Sequence, residues 1–424
     1  MLYFFQDRGS VLVSVLVVML VLTILGTALI SLSMADLAQA ARQEKSIEAY
    51  YLARSGADAV AAHMLQHPED IPYFLSQGEE EVVMANGKFN VCVVERDGEI
   101  LIESTGYIDK QMKKVTLSLL PDSGPPLDMA VFALSSIELV NHAKIGSVGT
   151  NSTKTGSVRF CNDAKIIGDF YAGPGSNPNA VVSPYGGYPH ISGSLKNLQE
   201  ERSYPLPEFP SFPADLPYQG DCNLWGKLTH YISADGEYRD INLSNDSHLI
   251  IDVGSGIRQI RIRRLSAANG AKITLVGTGK LILYVEQQFN LCNESAVNKG
   301  GDPNQVMLYY KGSSSVSPAN DSHFFGSIYA ESADLNLSNA SSIRGSIITG
   351  GSMVTMSNSS TADVRVVYAP KAQVIMANHA EVTGSIVCKS FLAANHVTVN
   401  FAPVSWGDIP FSGKNSGLKR GHWK

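Results

Sequence analysis

The chain has 424 residues, of which 17% are charged, and its formal net charge is −6 at pH 7. This length allows two or three domains, and the acidic balance gives no reason to expect nucleic acid as a partner. The 37 glycines, beside abundant serine and asparagine, are typical of an extracellular protein that is rich in β-structure and turns.

The amino terminus carries an uncharged stretch, residues 9–35, directly after Asp7 and Arg8. About 20 apolar residues cross a bilayer as a helix, and residues 11–32 are dominated by Val, Leu, Ile, Met and Ala. Arg8 favours a cytoplasmic amino terminus, with the bulk of the chain extracellular or periplasmic. A cleavable secretory signal is the competing interpretation, although its apolar region usually has about 7–15 residues. The side chains predicted to anchor the chain in the cell membrane are Val11, Leu12, Val15, Leu16, Leu20, Leu22, Ile24, Leu29 and Leu32.

The helix is predicted to continue beyond the membrane and to span residues 10–66, since Pro68 is the first proline of the chain. Ala49, Ala53, Ala57 and Ala61 recur at a helical spacing and therefore share one face. Small residues allow close approach. This face is expected to pack on the protein's own domain, on a neighbouring subunit, or on both.

Two segments of this helix carry a family resemblance: RGSVLVSVLVVMLVLTILG at residues 8–26 and EAYYLARSGA at residues 48–57. They resemble type IV pilus minor pilins with a PilX-like N-terminal domain. The resemblance implies that residues 1–9 are a leader, which a prepilin peptidase removes after Gly9 so that Ser10 becomes the first residue. It also implies packing against other pilins or pilus assembly proteins. Ser14 stands where major pilins carry Glu, which argues against a major subunit, and Arg54 also replaces a Glu of the family pattern.

A small antiparallel β-meander is predicted for residues 80–121. Its alternating segments are separated by Asn86-Gly87 and Asp97-Gly98, which are strong hairpin signals. A proline-containing linker follows at residues 121–126.

The larger part of the chain is a repeat of short alternating strands that meet at an asparagine, with a period near 20 residues. This pattern predicts a β-solenoid, expected to be a parallel β-helix, with first coils at 127–172 and main coils at 235–405. Asparagine tolerates left-handed backbone geometry and can form ladders between stacked coils. We expect this structural role rather than sugar or calcium binding. The predicted corner residues are Asn141, Asn162, Asn245, Asn269, Asn293, Asn339, Asn358, Asn378 and Asn395.

The sequences YAPKAQV at residues 368–374 and GSIVCKS at residues 384–390 resemble the signature of a C-terminal domain of unknown function that is often fused to PilX-like N-termini. This resemblance implies an architecture and no particular chemistry. The predicted fold class is therefore α+β, mainly β, with a long N-terminal transmembrane helix, a small meander and a β-solenoid.

Two segments interrupt or follow the repeat. Residues 173–222 are rich in proline, and we expect a long loop that lies on the solenoid; a recognition loop for a partner or a glycan is the alternative. Residues 406–424 form a basic end, expected to be a solvated tail, with contact to anionic polymer or lipid as the other interpretation.

The sequence offers little support for catalysis. It has no GxSxG, HExxH or P-loop motif, and no pair of acidic residues falls at matching corners, as a glycosidase would need. His379 and His396 are predicted on neighbouring coils and could bind a metal, but without a third ligand we expect turn histidines. No cofactor and no metal site is predicted.

These features together predict a non-enzymatic minor pilin or pilin-like protein that displays a β-solenoid outside the cell for adhesion or surface interaction. Expected partners are other pilins, the prepilin peptidase, the cell membrane and a surface glycan. Two alternatives stay open: a membrane-anchored β-helix polysaccharide lyase or hydrolase, and a static cell-surface scaffold.

Overall fold

The computed structural model describes residues 10–67, 70–96, 99–121, 124–184, 190–404, 406, 409 and 418–423. The chain divides into two compact units, one of residues 1–122 with 414–424 and one of residues 123–413. The predicted leader, residues 1–9 with Gly9, lies outside the described residues.

The first unit is built on α1 (Ser10–Gln66), a continuous helix of 57 residues. Its carboxyl-terminal half buries Ala49, Ala53, Ala57 and Ala61 completely. Their spacing of four residues keeps them on one face. A short helix, α2 (Ile71–Ser76), follows.

That helix face packs on a five-stranded antiparallel sheet. A Cβ added to Gly106 in the sheet would lie 2.2 Å from the carbonyl oxygen of Ala49, so the helix and sheet backbones approach closely. The face therefore packs on the protein's own sheet. In spatial order the strands are β1 (Glu80–Met84), β2 (Gly87–Arg96), β3 (Glu99–Ile108), β4 (Gln111–Pro121) and β31 (Leu418–Trp423).

The fifth strand corrects the expectation of a solvated basic tail, predicted for residues 406–424, at residues 418–423. Leu418–Trp423 pairs antiparallel with β4. The Arg420 guanidinium lies 2.9 Å from the Asp58 carboxylate on α1, and the Arg54 guanidinium lies 5.0 Å from the centre of the Trp423 ring. This segment thus completes a sheet edge, and its Arg420 pairs with the helix.

The second unit is a β-solenoid of about 13 turns, as the fold-class prediction stated. Its main coils begin at residue 218, earlier than the predicted 235, and end at residue 401. The strands of the main coils are β14 (Tyr218–Trp225), β15 (Thr229–Ile232), β16 (Gly236–Ser244), β17 (His248–Gly254), β18 (Ile257–Ala267), β19 (Lys272–Gly277), β20 (Lys280–Leu291), β21 (Ala296–Val297), β22 (Val306–Tyr310), β23 (His323–Phe325), β24 (Ser327–Ala330), β25 (Leu335–Leu337), β26 (Ser342–Thr349), β27 (Met353–Met356), β28 (Thr361–Ala377), β29 (Glu381–Ala394) and β30 (Thr398–Phe401).

The coils that come first in the sequence extend to residue 197, beyond the predicted end at 172. A four-residue helix, α3 (Pro178–Val181), lies among them. Their strands are β5 (Val131–Leu139), β6 (Lys144–Ile145), β7 (Val148–Thr150), β8 (Val158–Phe160), β9 (Lys165–Ile166), β10 (Phe170–Ala172), β11 (Val182–Pro184), β12 (His190–Ile191) and β13 (Leu195–Asn197).

The stacking order of the coils differs from their order in the sequence. Strand β5 pairs in parallel with β29, and β6 pairs with β30. The first coils of the sequence therefore continue the stack after its last coil. Strand β14 lies near one end of the stack and β13 near the other.

The interior of the stack is apolar and continuous through this junction. One column of register partners runs through successive coils without a break. Each member is at most 2% exposed, and burial of a Val, Leu, Ile or Phe side chain contributes about 1.5–3 kcal/mol. The column consists of Leu249, Ile273, Val297, Phe324, Ile343, Ala362, Val382, Val399, Ile145 and Ile166.

The proline-rich segment 173–222, predicted as a loop insertion, has two structural parts. Strands β11 to β13 at its start and β14 at its end belong to coils, which corrects the prediction there. Residues 198–217, called the strap here, have no helix or strand and only bends, and they return the chain from one end of the stack to the other. At about 4.8 Å between coils, a stack of about 13 coils is roughly 58 Å high. Twenty residues in the extended polyproline form span about 60 Å, so proline keeps the strap long enough.

The strap lies on a row of tyrosines from stacked coils, Tyr284, Tyr309, Tyr329 and Tyr368, with Ile348 in the coil between the last two. The hydroxyl of Tyr368 donates to the carbonyl oxygen of Pro205 at 2.7 Å, and that of Tyr329 donates to Pro207. The ring of Phe209 lies 5.1 Å from that of Tyr329. Burial raises the pKa of Tyr309 and of Tyr329 to about 12. The predicted loop on the solenoid is thus a packed element.

Replacing Phe209 by Ala should loosen the strap. The variant loses two edge-on ring contacts, with Tyr309 and Tyr329, and part of a half-buried aromatic side chain, worth about 2 kcal/mol together. We expect faster cleavage by a glutamate-specific protease after Glu208 in the full chain in detergent. The matched control is Tyr231→Ala, which removes an aromatic ring that is 67% exposed. Equal cleavage rates in the two variants would contradict the packed strap.

Candidate functional sites: an apolar helix and an asparagine ladder

The first half of α1 presents an apolar surface that the other described residues leave exposed. Among those residues, one helix is long and apolar enough to cross a membrane; its most apolar window has a mean hydropathy of 2.8 and is 0% buried. The predicted anchor side chains from Val15 to Leu32 are each 51–66% exposed. Ser10, Val11 and Leu12 belong to the helix, but their side chains lie outside the described residues.

The two threonine hydroxyl groups of this half bond to backbone carbonyl groups within the helix. Thr23 Oγ1 donates to the carbonyl oxygen of Met19 at 2.7 Å, and Thr27 Oγ1 donates to that of Thr23 at 3.0 Å. Such internal bonds let a polar side chain enter an apolar environment at little cost. The surface is therefore suited to lipid or to the apolar faces of other helices.

The nine predicted corner asparagines all lie at corners of the solenoid, and each has a positive φ between 48° and 60°. Their side chains form one ladder, in which Nδ2 of each rung after Asn245 donates to Oδ1 of the preceding rung in the stack at 2.7–3.3 Å. In stacking order the rungs are Asn245, Asn269, Asn293, Asn320, Asn339, Asn358, Asn378, Asn395, Asn141 and Asn162.

Asn320 is a rung that the sequence analysis missed. It bridges Asn293 and Asn339, which lie 27 and 19 residues from it. A gap of two periods between those two residues was the signal that could have revealed it. The corner of the coil that begins with β14 is Gly226-Lys227, also at positive φ, so the ladder ends at Asn245.

The ladder explains why asparagine is used at the corners. An amide side chain carries both a donor and an acceptor, so each inner rung gives one bond and receives one. The left-handed backbone is better tolerated by asparagine than by most residues. These amides already bond to one another, which supports the structural role over sugar or calcium binding. In the described part of the chain, no group of three or more His, Cys, Asp or Glu residues could hold a metal ion.

The two histidines predicted on neighbouring coils are brought together. The rings of His379 and His396 are stacked 5.1 Å apart, with 10° between their planes. Each directly follows a ladder asparagine.

One carboxylate bears on the enzyme alternative. Asp240 is the only buried Asp or Glu among the described residues, at 7% exposure. It accepts two bonds from Arg264, at 2.8 and 2.6 Å, which together with Arg263 lower the pKa of the carboxyl to about 2. A group so acidic is poorly suited to be a general acid near neutral pH.

Comparisons with known proteins give a limited result. A family model described as a domain of unknown function, DUF7305, matches residues 221–365, which lie within the main coils. A search of curated proteins returned no match. Among solved structures, the chain is similar to the competence-associated pilin ComZ from Thermus thermophilus, with 10% identity, coverage of 90% of this chain and 97% of that chain, and a TM-score of 0.23. At that TM-score the similarity carries no argument about fold or function.

Substitutions at one rung should separate the two roles of the corner asparagine. Asn358→Gly removes two side-chain bonds, worth about 1 kcal/mol together at an exposed site, but keeps a residue suited to φ of 53°. Asn358→Ala removes the same bonds and adds about 1 kcal/mol of backbone strain. We expect the urea midpoint of the β-sheet circular dichroism signal to fall in the order wild type, Gly, Ala.

The matched control is Asn336→Ala on β25, an exposed strand residue outside the ladder, which should shift the midpoint little. Equal midpoints for Gly and Ala at position 358 would contradict the backbone role. A midpoint unchanged in both would contradict the ladder.

Proposed function

We propose that the chain is a non-enzymatic minor pilin or pilin-like protein, anchored by α1 and taking part in assembly of a type IV pilus or pseudopilus. The solenoid is then the part displayed outside the cell, where it serves adhesion or surface interaction. The observation that carries the proposal is α1 itself, which is apolar and exposed in its first half and packed on its own antiparallel sheet in its second.

The physical argument rests on the exposed half. Apolar surface in water costs about 25 cal/mol per Å², and this half exposes a run of large apolar side chains, among them Leu16, Leu20 and Leu29. A bilayer covers such a surface before assembly, and neighbouring helices cover it afterwards. A protein that moves between these two environments needs a helix that is apolar on all sides.

The resemblance of residues 8–26 and 48–57 to PilX-like minor pilins supports the finer assignment. Ser14 in place of the Glu of major pilins favours a minor subunit. On this proposal the prepilin peptidase cuts after Gly9, and other pilins bind along α1. The alternative of a β-helix lyase or hydrolase is disfavoured by the ion-paired state of Asp240. The enzyme alternative predicts that the full chain releases reducing or unsaturated sugar ends when it is incubated with polysaccharides.

Processing by a prepilin peptidase tests the proposal. We expect intact-mass and N-terminal sequencing to find a mature chain that begins at Ser10 when the peptidase is co-expressed, and an uncut chain without it. Gly9→Val should block this cleavage, because a branched side chain then stands at the cut bond. Gly26→Val, the same substitution within α1 at a position with open space around it, should be cut normally.

Two outcomes would overturn the proposal. A cut near residues 33–41 would show that the apolar segment is a secretory signal. An uncut chain in the presence of an active peptidase would leave the static surface scaffold as the remaining interpretation.

A further inference from the structure

Three histidines form a row on one ridge of the solenoid: His379, His396 and His142. The ring of His396 lies 5.1 Å from that of His379 and 4.9 Å from that of His142. The ring planes differ by only 10° and 16°. His396 is therefore the shared middle member of two stacked pairs.

The three backbones are held in the same way. Each histidine follows a ladder asparagine and has φ of 62–63°. Each backbone N–H donates to the carbonyl oxygen of an asparagine in the adjacent coil, at 2.9–3.0 Å. Because the backbones match and the rings are nearly parallel, corresponding ring nitrogens of adjacent histidines lie about one coil spacing apart, near 5 Å.

That spacing is close to what a shared metal ion requires. Two imidazole nitrogens bound to one ion at about 2.0–2.1 Å each are separated by roughly 3.3 Å in tetrahedral geometry. Rotation of exposed side chains, which occurs in picoseconds to nanoseconds, closes the difference without moving the backbone. A carboxylate oxygen of Asp163 lies 3.9 Å from Nδ1 of His142 and adds negative charge at the end of the row.

We propose that the histidine row binds a divalent first-row transition ion, of the class Zn²⁺, Ni²⁺ or Cu²⁺, between two adjacent imidazoles. His396 supplies one ligand in either pairing, and His379 or His142 supplies the other. Water completes the coordination, consistent with the lack of a group of three ligands among the described residues. Imidazole nitrogen suits these ions, whereas Ca²⁺ and Mg²⁺ prefer oxygen.

A second histidine pair must be separated from this site. The rings of His63 and His67, near the end of α1, lie 4.8 Å apart, and His63 Nε2 lies 2.9 Å from a carboxylate oxygen of Asp70. Two histidines one turn apart on a helix can also chelate a metal. The test therefore uses the full chain with His67→Asn as its background.

The experiment is calorimetric titration of Zn²⁺ into this protein in detergent at pH 7.5. We expect His396→Asn to abolish binding, because it leaves His379 and His142 about 10 Å apart, two coil spacings. We expect His379→Asn and His142→Asn each to retain binding, because each leaves one stacked pair. Asparagine tolerates the left-handed backbone at all three positions, so folding is preserved.

Further variants sharpen the result. When the ion is bound by His396 and His142, Asp163→Asn should weaken binding by about tenfold. This is the lower end of the range for losing a group that supports a metal ligand. Binding should fall as the pH is lowered, since only neutral imidazole is a ligand. His230→Asn, at an exposed histidine on β15, should change nothing.

The proposal is decided by which histidine variant loses Zn²⁺ binding. Equal partial losses from all three row variants would show independent surface histidines and would overturn the proposal. Unchanged binding in His396→Asn, or no binding in the His67→Asn background, would overturn it as well.

Discussion

The structure depends on the stacking of one coil on the next, because a single coil of two or three short strands cannot bury its own apolar face. The interior column from Leu249 to Ile166 supplies the hydrophobic part of that contact, and the ladder from Asn245 to Asn162 fixes its register. A slip of one residue would turn every buried side chain outward and would also break the ladder. The two sets of contacts therefore specify the same register.

The sequence predicted the features that repeat locally. An asparagine in the left-handed region leaves a local signal that recurs in each coil, so the corners and the β-solenoid could be found without a structure. The stacking of β5 on β29 could not, because it joins residues about 250 positions apart through ordinary apolar contacts, which leave no such signal. For the same reason, the sequence did not reveal that His142 lies beside the pair His379 and His396. Strand β31 was missed because its Lys419 and Arg420 were interpreted as part of a basic tail, whereas its pairing with β4 is made by the backbone.

The strap follows from this coil order. Once the first coils complete the far end of the stack, the chain must return along its full height, and the proline-rich segment does so over the tyrosine row. The unit that carries α1 is built separately, with its own small sheet and apolar core around Ala53 and Leu117. This division of a helix-bearing unit from a rigid solenoid is what the proposed pilin-like role requires.

The coil order is the central claim, and a pair of introduced cysteines tests it most directly. Ser136 on β5 and Ser390 on β29 are register partners, and neighbouring strands lie about 4.8 Å apart, within the range a disulfide can bridge. The double variant Ser136→Cys with Ser390→Cys should form a disulfide under mild oxidation, identified by mass spectrometry of the joined peptides. Its absence, together with a disulfide from the cysteine introduced at position 136 to another coil, would contradict this stacking order.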